Sequence, residues 1–304
     1  MREPAPQPAD EELAELFRRC CNWGRWGPDD ELGTLNYIDP AARVAAARLV
    51  RSGRAVSLGA DLSTEPSAKN PRPVQHLMLY ENHNGGSALD YVGVAPHGYA
   101  VTHLDAVAHV YWQDHVYGGR NAADVCTPRG LGFGSVYAQR DGIITRGVLL
   151  DVAAARGTRW LEPGEFVTPA DLDAAERHAR TRLRRGDAIF VHVGLEAREA
   201  AHGPEDVSRR AGLHAGCLPW LHEREVAVYS GDCVERVPYP SAAMPVPLHQ
   251  IGLAAMGLVL LDCPRMAGLV EACRAEERHE FLLSVAPLRI PGGTGSPVNP
   301  LALF

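Results

Sequence analysis

Residues 168–194 read TPADLDAAERHARTRLRRGDAIFVHVG, and the pattern changes at Gly186. Thr168-Pro169-Ala170-Asp171 opens a helix predicted to run to Gly186. Leu172, Ala175, Ala179 and Leu183 share one face, while Arg180, Arg182, Arg184 and Arg185 crowd the C-terminal half, where the helix dipole favours cations. After Gly186, DAIFVHVG is a short apolar run of the kind that forms a buried strand. GVLLDV (147–152), EVAVYS (225–230) and LVLLD (258–262) look the same. Upstream, Asp39 is placed to cap a helix with Pro40 at its first position and Gly53 at its end. Helices alternating with apolar strands argue for an α/β fold with parallel pairing in part. The arginine run reads as a solvated face rather than a phosphate site.

The chain has 304 residues, with 46% hydrophobic and 22% charged, which suits a globular core and excludes a mainly disordered chain. A net charge of −7 offers no basic field for nucleic acid or anionic lipid. Seven cysteines without a C-x-x-C argue against a disulfide scaffold or an all-cysteine zinc site, and point to a reduced, cytoplasmic setting. The polar, Pro-rich N-terminus has no signal-peptide core, and IGLAAMGLVLL (251–261) is too short to cross a bilayer. No repeat or linker forces a boundary. Residues 1–304 are expected to form one domain, with 1–25 as a partly helical N-terminal extension.

The histidines are unevenly spread. The chain has thirteen, yet His97, His103, His109 and His115 all fall within 97–115. In THLDAVAH, an extended 101–105 would direct His103 and Asp105 to one side. A helical turn after it would place Asp105 and His109 on a common face. Two imidazoles and a carboxylate are donors that Zn²⁺ or Mn²⁺ accepts. Leu104, Ala106, Val107 and Ala108 are apolar, so these polar groups sit in a segment destined for burial and need partners there. Other signatures are incomplete: His222-Glu223 and His279-Glu280 lack a second zincin histidine, and no G-x-S-x-G occurs. The glycine-rich stretches 130–134 and 292–295 match no phosphate fingerprint and read as tight turns.

THLDAVAH resembles the core of the H-x-G-T-H-x-D-x-P-x-H motif of the putative cyclase family, which includes kynurenine formamidases and isatin hydrolases. WGPDDELGTLN (26–36), YGG (117–119), PVPLH (245–249) and APLRIPGGTGSPVNP (286–300) extend the resemblance over most of the chain. It implies a swivelling β/β/α-type fold, with mixed sheets flanked by helices, and a homodimer or homotetramer. It also implies one or two divalent ions held by His103 and Asp105, with His249 and Asp262 downstream, and His109 as acid/base. The motif's first histidine falls on Tyr99, its glycine on Val101 and its proline on Val107. His97 is the candidate replacement ligand. A straight strand rises about 3.3 Å per residue and would hold His97 roughly 20 Å from His103, so a shared ion demands a bend, for which Gly98 is suited. Tyr99, Tyr111 and Trp112 are expected beside a small, aromatic substrate.

The chemistry so implied is hydrolysis of an amide, lactam or lactone by a metal-activated water, with His109 moving the proton. A metal-dependent cyclase or lyase would use the same groups for ring closure or dehydration. A non-catalytic small-molecule binding protein is the third reading, prompted by Tyr99 at a ligand position.

Overall fold

The computed structural model describes residues 10–81 and 85–304. Its centre is a nine-stranded mixed sheet: β1 (Ala55–Ser57), β2 (His103–Asp105), β3 (Ile143–Asp151), β4 (Ala188–His192), β5 (Val228–Gly231), β6 (Val259–Asp262), β7 (Glu280–Val285), β8 (Gly295–Pro297) and β9 (Leu301–Leu303). The spatial order is β1-β9-β7-β3-β4-β5-β6-β2-β8. Strands β3 to β6 run parallel, and every other pairing in the sheet is antiparallel.

The parallel strands are apolar on both faces because both faces are covered. Val148, Leu150, Ile189, Val191, Tyr229 and Leu260 pack in one core with side chains of the helices Asp10–Arg19, Pro169–His178, Cys217–Glu223 and Pro247–Ile251. Leu149, Phe190, Val228 and Leu261 alternate with them and join a second core under the helix Ala267–Ala275. This is the α/β architecture of a mixed sheet flanked by helices. Leu104 belongs to the second core, so alternation turns His103 and Asp105 toward the other face.

Both predicted helices are shorter than their patterns. The first spans Pro40–Ala47, with Asp39 Oδ1 accepting from Ala42 N at 2.7 Å. Beyond it, Ser52 and Gly53 donate their N–H groups to Phe304 O, which turns the chain into β1. The second stops at His178, because Arg180 adopts φ 51° and the next turn is held by side chains. Leu183 N donates to Glu176, and Arg184 N to Asp187. Arg180, Arg182, Arg184 and Arg185 stay exposed.

The two glycine-rich stretches meet. A Cβ on Gly130 would lie 2.6 Å from Gly292 O, and Leu131 N donates to that oxygen at 2.8 Å. Their contact delivers β8 to the edge of β2, where Ala106 N donates to Thr294 O at 2.9 Å.

Between β3 and β4, Arg146 is buried and forked onto Asp187, with Nε to Oδ1 at 2.9 Å and Nη2 to Oδ2 at 2.6 Å. Burial raises the Asp187 carboxyl even against the pull of Arg146. Desolvation therefore offsets much of the attraction; Arg146 Nη1 also meets Glu280 Oε2 at 3.0 Å, so losing Asp187 leaves the guanidinium partly paired, whereas losing Arg146 strands the buried Asp187. Arg146→Met, which strands the buried Asp187, is expected to cost about 3–5 kcal/mol in urea unfolding, and the double change Arg146→Met/Asp187→Leu less. Equal losses in the two variants would contradict this account of the pair.

Candidate metal centre

Asp105 is fully buried at the C-terminal end of β2, the short strand flanked by β6 and β8. Its two carboxylate oxygens are inaccessible and make no hydrogen bond. An ionised group in that state costs several kcal/mol unless positive charge or a metal meets it. Burial alone would raise its pKa, but His97, His103, His109 and His249 hold the carboxyl well below the usual range.

Four imidazoles ring this carboxylate. His97 Nδ1 lies 3.0 Å from Oδ1, off the line of a hydrogen bond, and His103 Nε2 lies 3.5 Å from it. His109 Nε2 is 3.9 Å from Oδ1, and His249 Nε2 is 3.9 Å from Oδ2. Asp262, opposite His103 in the β6–β2 register, reaches His249 Nε2 at 3.1 Å. Donor atoms of His97, Asp105 and His109 lie within 4.8 Å of one another, as do those of His103, Asp105 and Asp262. Asp105 is common to both groups.

The chain bends between His97 and His103, bringing their ring centroids to 5.2 Å. Gly98 sits at the bend with φ 132°, a conformation that side chains disfavour. His97 Nε2 is then fixed by Thr294 Oγ1 at 3.0 Å, which leaves Nδ1 facing Asp105. His103 Nδ1–H donates to Val101 O at 2.8 Å, so its Nε2 carries the free lone pair.

Glu235 is the residue that sequence reading missed. Its Oε2 accepts from Leu248 N at 2.7 Å, and its Oε1 meets His249 Nδ1 at 2.6 Å. One buried side chain thus anchors the helix Pro247–Ile251 and orients the imidazole it carries. Burial pulls the pKa of His249 down, but Glu235 and Asp262 carry it well above the ordinary value. Only the distance in space couples Glu235 to His249; no spacing rule announces it.

His97 and His109 stack, with centroids 3.6 Å apart and planes 6° from parallel. Imidazole lone pairs lie in the ring plane, so those of two near-parallel rings cannot converge on one point. One of the pair suits a ligand and the other a proton carrier. Burial pushes the His109 pKa down to about 4 against the opposing pull of Asp105, so its imidazole is neutral at pH 7.

These groups line a cavity of about 300 Å³, together with Tyr99, Val110, Arg210, Val234, Val246 and Cys263. Arg210 is buried, paired with Glu205 at 2.8 Å, and lies over the Tyr99 ring at 4.4 Å. The expected aromatic wall is only partly there. Tyr99 lines the cavity, but Tyr111 is 50% exposed and Trp112 packs on Phe17 with centroids 4.8 Å apart. An apolar partner from the N-terminal helix draws Trp112 away from the site.

Ring nitrogens and carboxylate oxygens around an orphaned buried Asp fit a divalent ion of the Zn²⁺ or Mn²⁺ type. Residues 56–235, more than half of the chain, match the family described as putative cyclase. The chain belongs to this family. The crystal structure of a novel cyclase superposes with a TM-score of 0.84 at 29% identity, covering 95% of this chain and 99% of that one. Isatin hydrolase A from Labrenzia aggregata, bound to benzyl benzoate, gives 0.60 at 19% identity, covering 82% and 93%. A predicted metal-dependent hydrolase from Bacillus stearothermophilus gives 0.53 at 13%, covering 83% and 98%. The last two are likenesses of fold. No curated protein matches the sequence.

Among cyclase-family features of this chain, the buried carboxylate is the most direct to test. Asp105→Ala is expected to lose most of the divalent ion that the parent protein keeps after Zn²⁺ or Mn²⁺ loading and dialysis, counted by elemental analysis. Undiminished occupancy would refute the centre. In chelator competition, His97→Ala should weaken metal affinity and Tyr99→Phe should leave it unchanged; the reverse would pass the ligand role to Tyr99.

Proposed function

We propose that this cyclase-family chain is a metal-dependent hydrolase that opens an amide, lactam or lactone bond of a small, aromatic substrate. The observation that carries the reading is Asp105, fully buried with both oxygens unbonded amid four imidazoles. His103, Asp105, Asp262, His249 and His97 would hold one or two ions. A divalent ion, when bound, acts as a Lewis acid that makes water more acidic and polarises a carbonyl. Val101 O and Glu235 fix the rings of His103 and His249, so their donor atoms stay aimed without further reorganisation.

His109 is the acid/base. Neutral at pH 7, it accepts the proton of the attacking water at a ring nitrogen. Its protonated form is a strong enough acid to return that proton to the leaving nitrogen or oxygen. Tyr99, backed by the Arg210 guanidinium, offers a ring face along the cavity wall against which an aromatic substrate can lie. Val110, Val234 and Val246 add apolar surface to the lining.

His109→Ala is expected to keep its metal and lose turnover by roughly 10²–10⁴-fold, the span of a positioned proton-transfer group. Loss of metal in that variant would make His109 a ligand, and unchanged turnover would remove it from the chemistry. The reaction type is tested by incubating the loaded protein with aromatic amides, lactams and lactones and weighing the products. Hydrolysis adds one water to the substrate mass; conserved mass or loss of water would mean ring closure or dehydration instead.

A further inference from the structure

Arg210 is the only Lys or Arg among the described residues that line the metal cavity, and just 6% of it is exposed. Two of its nitrogens are occupied. Nε donates to Glu205 Oε2 at 2.8 Å, and Nη2 donates to Glu205 Oε1 at 3.4 Å and to Asp232 O at 3.1 Å. Nη1, with two N–H groups of its own, meets no acceptor among the described residues, yet it is not sealed from solvent. Tyr99 covers one face of the guanidinium, with its ring centroid 4.4 Å from Cζ. The acidic neighbours are engaged elsewhere. Glu205 is shared with Lys69, whose Nζ lies 3.0 Å from it and 3.2 Å from Glu199. Asp232 accepts three backbone N–H groups, Glu235 holds His249, and Asp105 and Asp262 are candidate metal ligands.

We infer that Arg210 reads a carboxylate on the substrate, so that the substrate class is an aromatic amide, lactam or lactone carrying an acid group of its own. The bond opened rests on the hydrolase reading above; the acid group rests on Arg210. A smaller cavity also borders Arg210, but at about 40 Å³ it has room for little beyond water, and Glu196 and Glu199 line it. The metal cavity, at about 300 Å³, has room for a small aromatic acid. The assignment also gives Tyr99 a role. Where the family motif has a histidine, this chain places a ring that seats the guanidinium, while His97 brings the imidazole that faces Asp105. A guanidinium pinned by Glu205 and Tyr99 is already ordered before a ligand arrives, and its planar N–H groups suit a carboxylate.

The test uses the full-length, Zn²⁺-loaded protein and two probe pairs: benzoate against benzamide for binding by calorimetry, and 3-acetamidobenzoate against acetanilide for turnover. Only the first member of each pair carries a carboxylate. The parent is expected to bind benzoate roughly 10–100-fold tighter than benzamide, the span of a hydrogen bond between charged groups. It should favour the acetamidobenzoate in kcat/KM by a similar ratio, with the difference lying in KM. Arg210→Gln/Glu205→Gln removes both charges of the pair and leaves Lys69 its contact with Glu199. That variant should lose both preferences while its far-UV spectrum and bound zinc match the parent's. Arg210→Lys keeps a cation for Glu205 without the spare N–H groups and should lose them too. Equal binding of benzoate and benzamide by the parent would overturn the proposal. So would a preference that survives in both variants, as when the carboxylate sits on the ion. A benzoate preference with equal turnover of the two anilides would mean that Arg210 holds the acid product, and would overturn the substrate class. A benzoate preference that follows Arg210, with neither anilide turned over, would uphold the carboxylate site and count against the hydrolase reading instead.

Discussion

A carboxylate with no exposure and no hydrogen bond is the constraint around which the rest of this molecule is arranged. Asp105 could not remain ionised at that position without the imidazoles that face it. Those rings come from separate parts of the chain: the bend before β2, β2 itself, the turn after it, and the helix Pro247–Ile251. Three of them are fixed from behind, His97 by Thr294, His103 by Val101 O and His249 by Glu235. The glycine contact between 130 and 292 belongs to the same support, because it seats β8 and Thr294 beside β2.

The sheet explains why the centre is where it is. Parallel strands β3 to β6 end in Asp151, His192, Gly231 and Asp262, a polar row at their C-terminal ends, where open α/β sheets bind ligands. Most of that row is internally satisfied. His192 Nδ1 meets Asp151 at 2.9 Å, and Asp232 accepts the backbone N–H groups of Val193, Gly194 and Leu195. Asp262 keeps one buried oxygen without a partner, and it lies next to Asp105, across the change from parallel to antiparallel pairing. The unsatisfied groups therefore collect at the edge where the short antiparallel strand β2 enters.

Local pattern carried much of this. The apolar runs became β3 to β6, because short apolar runs between turn signals suit strands covered on both faces. The helices were legible at their starts, where Asp39 and Thr168 cap them, and illegible at their ends. After the first, Phe304, remote in sequence, captures the N–H groups of Ser52 and Gly53; after the second, the side chains of Glu176 and Asp187 capture those of Leu183 and Arg184, bonds that the apolar pattern does not encode. Trp112 followed the same rule: its packing on Phe17 reflects a neighbour brought in by the N-terminal helix.

The sequence by itself determined the α/β class, the apolar setting of THLDAVAH, and the shared side of His103 and Asp105, since alternation along a strand is a property of the backbone. It also required a bend at Gly98 if His97 was to reach them. Only the tertiary structure decided that the bend is made, that His249 and Asp262 arrive at the same carboxylate, and that Glu235 stands behind His249. It also set the stacking of His97 on His109, whose near-parallel rings cannot aim their lone pairs at one point. The physical reason is range: hydrogen-bonded periodicity is local, whereas the desolvation of a buried charge must be met by whatever the fold carries there.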